Sequence, residues 1–290
     1  MEENHPVYRD ALWKGVIEEL FASFLHYFYG QWAREHVDFD KDFEFLDKEL
    51  DTLRPEGHEQ KRFADKLARI YLKDGQEQWM LIHMEVQGYK DPTFPFRMYT
   101  YFYRIRDRYA KNVMALAILT DDSPTYRPDA YHYQMGKTEL TYRFETFKVL
   151  EKSETELYQP GNPFSTVMLV AKKALSGTDD DGYQWKWKTE LVRRLINEGY
   201  TTPVIRTLIT FIRLYVRFSN EKQEEAFKQT TYQLTNKPET MGLEETLLQA
   251  YKEEGMKVGK DEGRKEGIEE GMKEGIEEGM KEDQTQIIQH

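Results

Sequence analysis

The sequence predicts an α/β protein in which a mixed sheet flanked by helices is followed by a smaller helical region and a charged, glycine-periodic tail. Three observations predict it. Apolar residues recur at helical spacing in some stretches and at strand spacing in others, in the order helix, strand, strand, helix, strand, strand. Past Pro163 the patterns are helical. From Gly255 to Gly279 a glycine stands at every fourth position.

Composition sets the outer bounds. A chain of 290 residues with 39% hydrophobic and 14% aromatic content can bury a core and is unlike a disordered one. The lack of cysteine excludes disulfides and zinc–thiolate sites. No apolar run approaches the roughly 18 residues of a membrane span. The N-terminus, Met-Glu-Glu-Asn-His-Pro, is acidic where a signal peptide would be basic and then apolar, so a cytoplasmic location is expected. The net charge of −11 is unevenly spread. Residues 253–283 hold twelve acids and six bases, so a basic face elsewhere stays compatible with the total.

Taken in chain order, residues 10–33 read as one helix, with Leu12, Val16, Leu20, Phe24 and Phe28 on a stripe. Residues 34–60 are charged and mixed, anchored by Phe39, Phe43, Phe45 and Leu46. Strands are expected at 63–72 and 78–87, joined through Lys73-Asp74-Gly75-Gln76, where aspartate and glycine tolerate hairpin conformations. A helix pattern covers 94–110. Residues 112–120 form a continuous apolar run suited to a strand covered on both faces, and 142–150 supply another strand. Helices are expected at 164–175, 186–198, 203–218, 221–234 and 243–254, with a boundary near residue 160. In the tail each interior glycine costs a helix about 1 kcal/mol relative to alanine, so residues 253–290 are expected to be weakly helical or disordered.

The chemistry gathers on the second strand. Met80, Ile82, Met84 and Val86 make an apolar face, whereas Trp79, Leu81, His83, Glu85 and Gln87 make the other. An ionisable residue on a buried strand is costly without a partner, and Asp65 on the preceding strand is the nearest candidate neighbour. A shared divalent cation would relieve the repulsion of two carboxylates, since Mg²⁺ seeks one or two of them together with water and phosphate oxygens. For Asp65 and Glu85 to meet on one face, the hairpin needs an odd loop or a bulge; a two-residue Asp74-Gly75 turn would send them to opposite faces.

Phe63-Ala-Asp-Lys-Leu67, the Asp74-Gly75 turn and His83-Met-Glu-Val-Gln-Gly88 resemble the PD-(D/E)XK nucleases, and more narrowly the bacterial Rpn family, recombination-promoting nucleases also described as transposases. Asp42 to Leu50, Arg97-Met-Tyr99, Tyr103 to Tyr109 and the glycine-periodic tail add to the likeness. The resemblance covers roughly residues 10–175. It implies a restriction-endonuclease-like domain over 1–160, followed by the helical region at 161–252 and the tail at 253–290. It implies Asp65 and Glu85 as metal carboxylates, the backbone carbonyl of Val86 as a further ligand, Mg²⁺ or Mn²⁺ as cofactor and DNA as partner. Gln87 occupies the place of the superfamily lysine, where it can donate a hydrogen bond but carries no charge. Phosphodiester hydrolysis needs an activated water and a polarised phosphoryl oxygen, and a metal ion supplies both.

The helix at 94–110 divides by spacing. Met98, Phe102, Ile105 and Tyr109 form an apolar stripe for the sheet. Arg97, Tyr101, Arg104, Arg108 and Lys111 form a second face suited to a phosphate backbone, or to salt bridges with local acids such as Asp107. His83 reads as a strand histidine near the site and not as a ligand. Asp179-Asp180-Asp181-Gly182 fails as a calcium loop, because Gln184 stands where the sixth-position glycine is needed, and reads as an exposed loop. The leading expectation is a metal-dependent DNA endonuclease linked to recombination or mobile elements. Its rivals are a catalytically weak or inactive nucleic-acid-binding module of the same fold and an interaction or assembly protein acting through the helical region and tail.

Overall fold

The computed structural model describes residues 6–46, 49–50, 63–85, 91–177 and 180–235. The chain divides into two units, 1–243 and 244–290, and every described residue belongs to the first. The helix expected at 243–254 and the glycine-periodic tail lie outside the described residues.

The first unit is mixed α/β. Two helices, α1 (Pro6–Glu19) and α2 (Phe21–His36), open it, followed by β1 (Glu44–Phe45), β2 (Phe63–Tyr71) and β3 (Glu77–Glu85). Helix α3 (Phe94–Tyr109) leads to β4 (Val113–Leu119), a hairpin of β5 (Ala130–Met135) and β6 (Thr138–Arg143), and β7 (Glu145–Lys148). The main sheet runs β1-β2-β3-β4-β7, with β1, β2 and β3 antiparallel and β3, β4 and β7 parallel, while β5 and β6 form their own small sheet. After a short 3₁₀ turn come α4 (Glu154–Leu157), α5 (Phe164–Ala174), α6 (Asp181–Asn197), α7 (Thr202–Tyr215) and α8 (Glu221–Thr235).

Several expectations change in detail. The single helix over 10–33 is two, broken at Leu20 (φ −116°, ψ 27°), and α2 is kinked at Gly30, whose φ of +26° favours a residue without a Cβ. The break lets one apolar stripe serve two partners. Trp13 on α1 donates to the Tyr215 hydroxyl at 3.3 Å, whereas Phe24 on α2 packs edge-on against Phe164 at 5.2 Å. The strand expected over 142–150 is divided between β6 and β7, with Phe144 between them. The acidic run at 180–182 starts a helix. Asp180 caps α6 by accepting from the Gly182 and Tyr183 amides at 2.8 and 3.2 Å.

The helices after residue 160 pack onto α1 and α2 within the first unit, so the expected boundary near 160 is not a break in packing. In α5 every residue from Phe164 through Ala171 is buried, as is every residue of α7 from Thr207 through Tyr215. Helices buried on all sides over such stretches belong to an interior.

On the opposite side of the sheet α3 lies across β3 and β4. Phe94, Met98, Tyr101 and Ile105 share a core with Leu67, Trp79, Leu81, Ala117, Leu119 and Phe144. Each large side chain buried there contributes roughly 1.5–3 kcal/mol. Ala110 ends the helix in the left-handed conformation (φ +51°), its amide bonded to the Arg106 carbonyl at 3.1 Å.

Candidate active site

The β2–β3 hairpin sets the geometry. Lys73, Asp74 and Gly75 form a three-residue loop between Leu72 and Gln76. The Asp74 carboxylate accepts from the Gln76 amide at 2.9 Å, and Gly75 takes a φ of +84° that a side chain would strain. This odd loop fixes a register in which Asp65 opposes His83 and Phe63 opposes Glu85. Positions 65 and 85 are therefore diagonal neighbours on one face of the ladder, with His83 beside both. A slip of one residue would have separated them. The side chains at 65 and 85 lie outside the described residues, as do Val86 and Gln87.

Behind those positions stands a buried polar network. His83 is fully buried, and its Nε2 lies 3.3 Å from an Arg97 Nη. A guanidinium only donates, so Nε2 accepts and the imidazole proton sits on Nδ1. The other Arg97 Nη is 3.0 Å from the Asp91 carboxylate, with Arg97 3% and Asp91 8% exposed. Asp91 also holds the start of α3, accepting from the Thr93 amide and hydroxyl at 2.8 and 2.6 Å. A carboxylate at a helix N-terminus is favoured by the helix dipole as well. The Tyr126 hydroxyl donates to the Asp91 carbonyl at 3.1 Å. Beyond it Lys148 and Asp121 form a second buried ion pair.

Both groups belong to the carboxyl ends of the parallel strands. Glu85 is in register with Leu119, and Leu119 with Lys148; Asp121 lies two residues past Leu119. In open α/β sheets this end is where ligands bind. His83, Asp91, Arg97, Asp121 and Lys148 are each less than a tenth exposed. They can orient and electrostatically support a reacting group at 65 and 85, but they do not reach bulk solvent themselves.

The proposed basic face of α3 divides. Arg97 and Tyr101, 3% and 2% exposed, are on the buried side: Arg97 turns inward to Asp91 and His83, and Tyr101 joins the apolar core. The helix is rolled so that Phe94, Met98, Tyr101 and Ile105 form the buried stripe, leaving Phe102 half-buried against Tyr142 at 4.6 Å. Arg104 is half-buried and Arg108 exposed. Lys111 pairs with Glu77.

Asp91, Tyr126, Asp121 and Lys148 were not singled out by sequence pattern. In sequence Asp91-Pro92 marks only the end of a strand, and the bonds of the Asp91 carboxylate to Thr93 emerge in the fold. Asp121 follows the apolar run 112–120 directly, the place where a buried parallel strand delivers its first polar residue.

Among the described residues no three histidines, aspartates or glutamates gather closely enough to hold a metal ion. No described helix is long and apolar enough to cross a membrane. Comparison of the chain with protein-family models, curated proteins and solved structures found no match in any of the three.

Proposed function

We propose that the chain is a metal-dependent nuclease that hydrolyses phosphodiester bonds in DNA, with Asp65 and Glu85 as its metal carboxylates. The observation that carries this reading is the hairpin register, which makes positions 65 and 85 diagonal neighbours at the carboxyl end of β3. The donor set fits a hard cation: two carboxylates, joined by the Val86 carbonyl, suit Mg²⁺ or Mn²⁺. The cation would activate water and polarise the phosphate.

The chain's own residues have separable roles. The buried Arg97 guanidinium, paired with Asp91, lies against His83, the residue opposite position 65, and would support the two metal carboxylates through that histidine. His83 and Asp91 in turn fix the guanidinium's orientation. Gln87 would donate a hydrogen bond to the attacking water or to a phosphate oxygen. A mixed sheet between helices is compatible with the PD-(D/E)XK resemblance; the link to recombination rests on the resemblance to the Rpn family alone.

A second reading rests on Gln87. Without the superfamily lysine, the same fold would serve as a nucleic-acid-binding module that cleaves poorly or not at all. Plasmid nicking separates the two. Full-length protein is expected to nick with Mg²⁺ or Mn²⁺ and to stop with EDTA, and Asp65→Ala is expected to be inactive under identical metal and salt. Equal nicking by wild type and Asp65→Ala would identify a contaminant and leave the binding module as the better account.

A further inference from the structure

Four of the six large apolar side chains exposed among the described residues belong to one surface. Phe96 and Tyr103 on α3 are 45% and 50% exposed, and Tyr133 and Met135 on β5 are 43% and 69% exposed. Ordinary proteins scatter such residues singly, so a cluster marks a binding surface. The rings are organised. Tyr99 stacks on Tyr131 at 5.0 Å with the planes 18° apart, and Tyr103 continues the ladder at 6.2 Å and 23°. Phe96 meets Tyr131 at 5.3 Å. Tyr131, Tyr133 and Met135 alternate along β5 and so share the face that meets α3.

Charge distinguishes among occupants. Residues 94–111 carry five bases and one acid, in a chain whose net charge is −11. Apart from the buried Arg97, three of these bases, Arg104, Arg106 and Arg108, are on the helix that presents Phe96 and Tyr103; Lys111 follows its end and pairs with Glu77. On the hairpin, Lys137 is exposed, and Arg143 is 69% exposed in a long 3.7 Å pairing with Asp129. A second copy of the chain or an ordinary protein partner needs no such excess. A polyanion carrying planar groups does. Beside the ladder, Tyr142 stacks on Phe102 at 4.6 Å, and both line a groove of about 460 Å³ with Tyr29. That is within the roughly 300–1,000 Å³ of small-ligand pockets.

We infer that the α3–β5 surface binds single-stranded nucleic acid, with unpaired bases on the exposed aromatic rings, one base in the groove and the phosphates against the basic side chains. Stacking of this kind is tolerant of sequence, because every base has a π-face. Duplex bases are already stacked on one another and cannot use the rings. The inference rests on the nuclease reading for the purpose of binding, and it makes unpaired strands the preferred substrate, among them the transiently unpaired segments of a supercoiled plasmid.

The test is fluorescence anisotropy with a labelled twelve-nucleotide single strand and its duplex, using full-length protein in EDTA so that binding is read without cleavage. The single strand is expected to bind about ten-fold more tightly than the duplex. Phe96→Ala and Tyr103→Ala are each expected to weaken single-strand binding roughly five- to hundred-fold, the range one stacked base contributes. Tyr232→Ala, at a 50% exposed tyrosine on α8, is expected to change nothing. Equal affinity for both forms, or indifference to Phe96→Ala and Tyr103→Ala, would overturn the inference. So would a concentration-dependent dimer abolished by Phe96→Ala, which would make the surface a self-association site. Aromatic-dependent binding without metal-dependent cleavage would sink the nuclease reading alone. Duplex cleavage untouched by the aromatic variants would sink this inference alone.

Discussion

The two faces of the central sheet are built differently. Towards α1 and α2 the inward residues are Ala68, Ile70, Met80, Ile82, Leu116 and Ile118, fully buried and apolar. An ionic pair on that side, Lys66 with Glu18, has a carboxylate that is 37% exposed. Towards α3 the face is equally apolar at its centre, through Leu67, Leu81 and Ala117. At the carboxyl end of the strands it becomes polar, where His83, Arg97 and Asp91 are joined by Asp121 and Lys148. Buried charges are expensive even when paired, and apolar residues of similar size often stabilise as well or better. Stability alone accounts for the first face. The concentration of buried charge beside positions 65 and 85 is what a reacting site needs and a core does not.

The largest expected effect sets the two faces against each other directly. Asp65→Ala and Glu85→Ala are expected to lower nicking below detection, with little change in folding, because each relieves a repulsion between neighbouring acids. Ile82→Val, on β3 but on the other face, is expected to leave nicking unchanged and to cost about 0.5–1.5 kcal/mol of stability. Nicking rates beside urea melts decide the matter. A loss of activity in Ile82→Val without a matching loss of stability would mean that the faces do not divide the work.

How much of this was legible in sequence follows from which interactions are local. Periodicity located β2, β3, α3 and β4 closely, since each has an apolar pattern of its own length. The odd hairpin loop followed from requiring positions 65 and 85 to share a face. The roll of α3 did not. Its Tyr and Arg residues fit either face on spacing, and long-range pairing of Arg97 with His83 and Asp91 chose the buried one. The β5–β6 hairpin was missed because its exposed pattern, Tyr131, Tyr133 and Met135 around Gly136, marks no core. Lys148 and Asp121 meet only through the parallel pairing of β4 with β7, which spacing along the chain does not reveal.

Removing one partner of the α3-side network is the next largest perturbation. Arg97→Met leaves Asp91 buried without its cation and is expected to cost about 3–5 kcal/mol. Asp91→Asn combined with Arg97→Met is expected to recover part of that loss, because the pair then leaves no unpaired charge behind. Cleavage should stay depressed in the double variant, roughly 10–100-fold, as for other residues that orient a metal's ligands. Recovery of full activity along with stability would make the network purely structural.

A buried cation away from the sheet sharpens the contrast further. Lys188 in α6 is fully buried, its Nζ bonded to the Val216 carbonyl and 3.9 Å from the centre of the Phe218 ring. Burial pushes its pKa down from 10.5 to about 8, against the opposing pull of Glu224 and Asp181 and with the help of Arg213 and Arg217. Between those values the unfolded chain binds more protons than the folded one, so the contribution of Lys188 to stability rises with pH. Below pH 8 the buried charge is a cost. Relative to Lys188→Met, wild type is expected to gain about 2 kcal/mol between pH 7 and 10. A constant difference in unfolding free energy across that range would refute the assignment.

The smallest expected effect is on the apolar face, at Lys66. Its ammonium is buried and pairs with Glu18, as the Arg97 guanidinium pairs with Asp91, so counting ion pairs predicts the same loss from either substitution. Partner exposure predicts otherwise. Asp91 is 10% exposed by side chain and cannot recruit water when Arg97 is removed, whereas Glu18 at 37% can. Methionine would also fill the lysine stem's place above the Phe45 ring, which lies 5.3 Å from the ammonium. Lys66→Met is therefore expected to change stability by no more than about 1 kcal/mol and to leave metal-dependent nicking at the wild-type rate. Urea melts of Lys66→Met and Arg97→Met under one buffer give the comparison. Equal losses would show that burial of the cation, and not exposure of its acid, sets the cost.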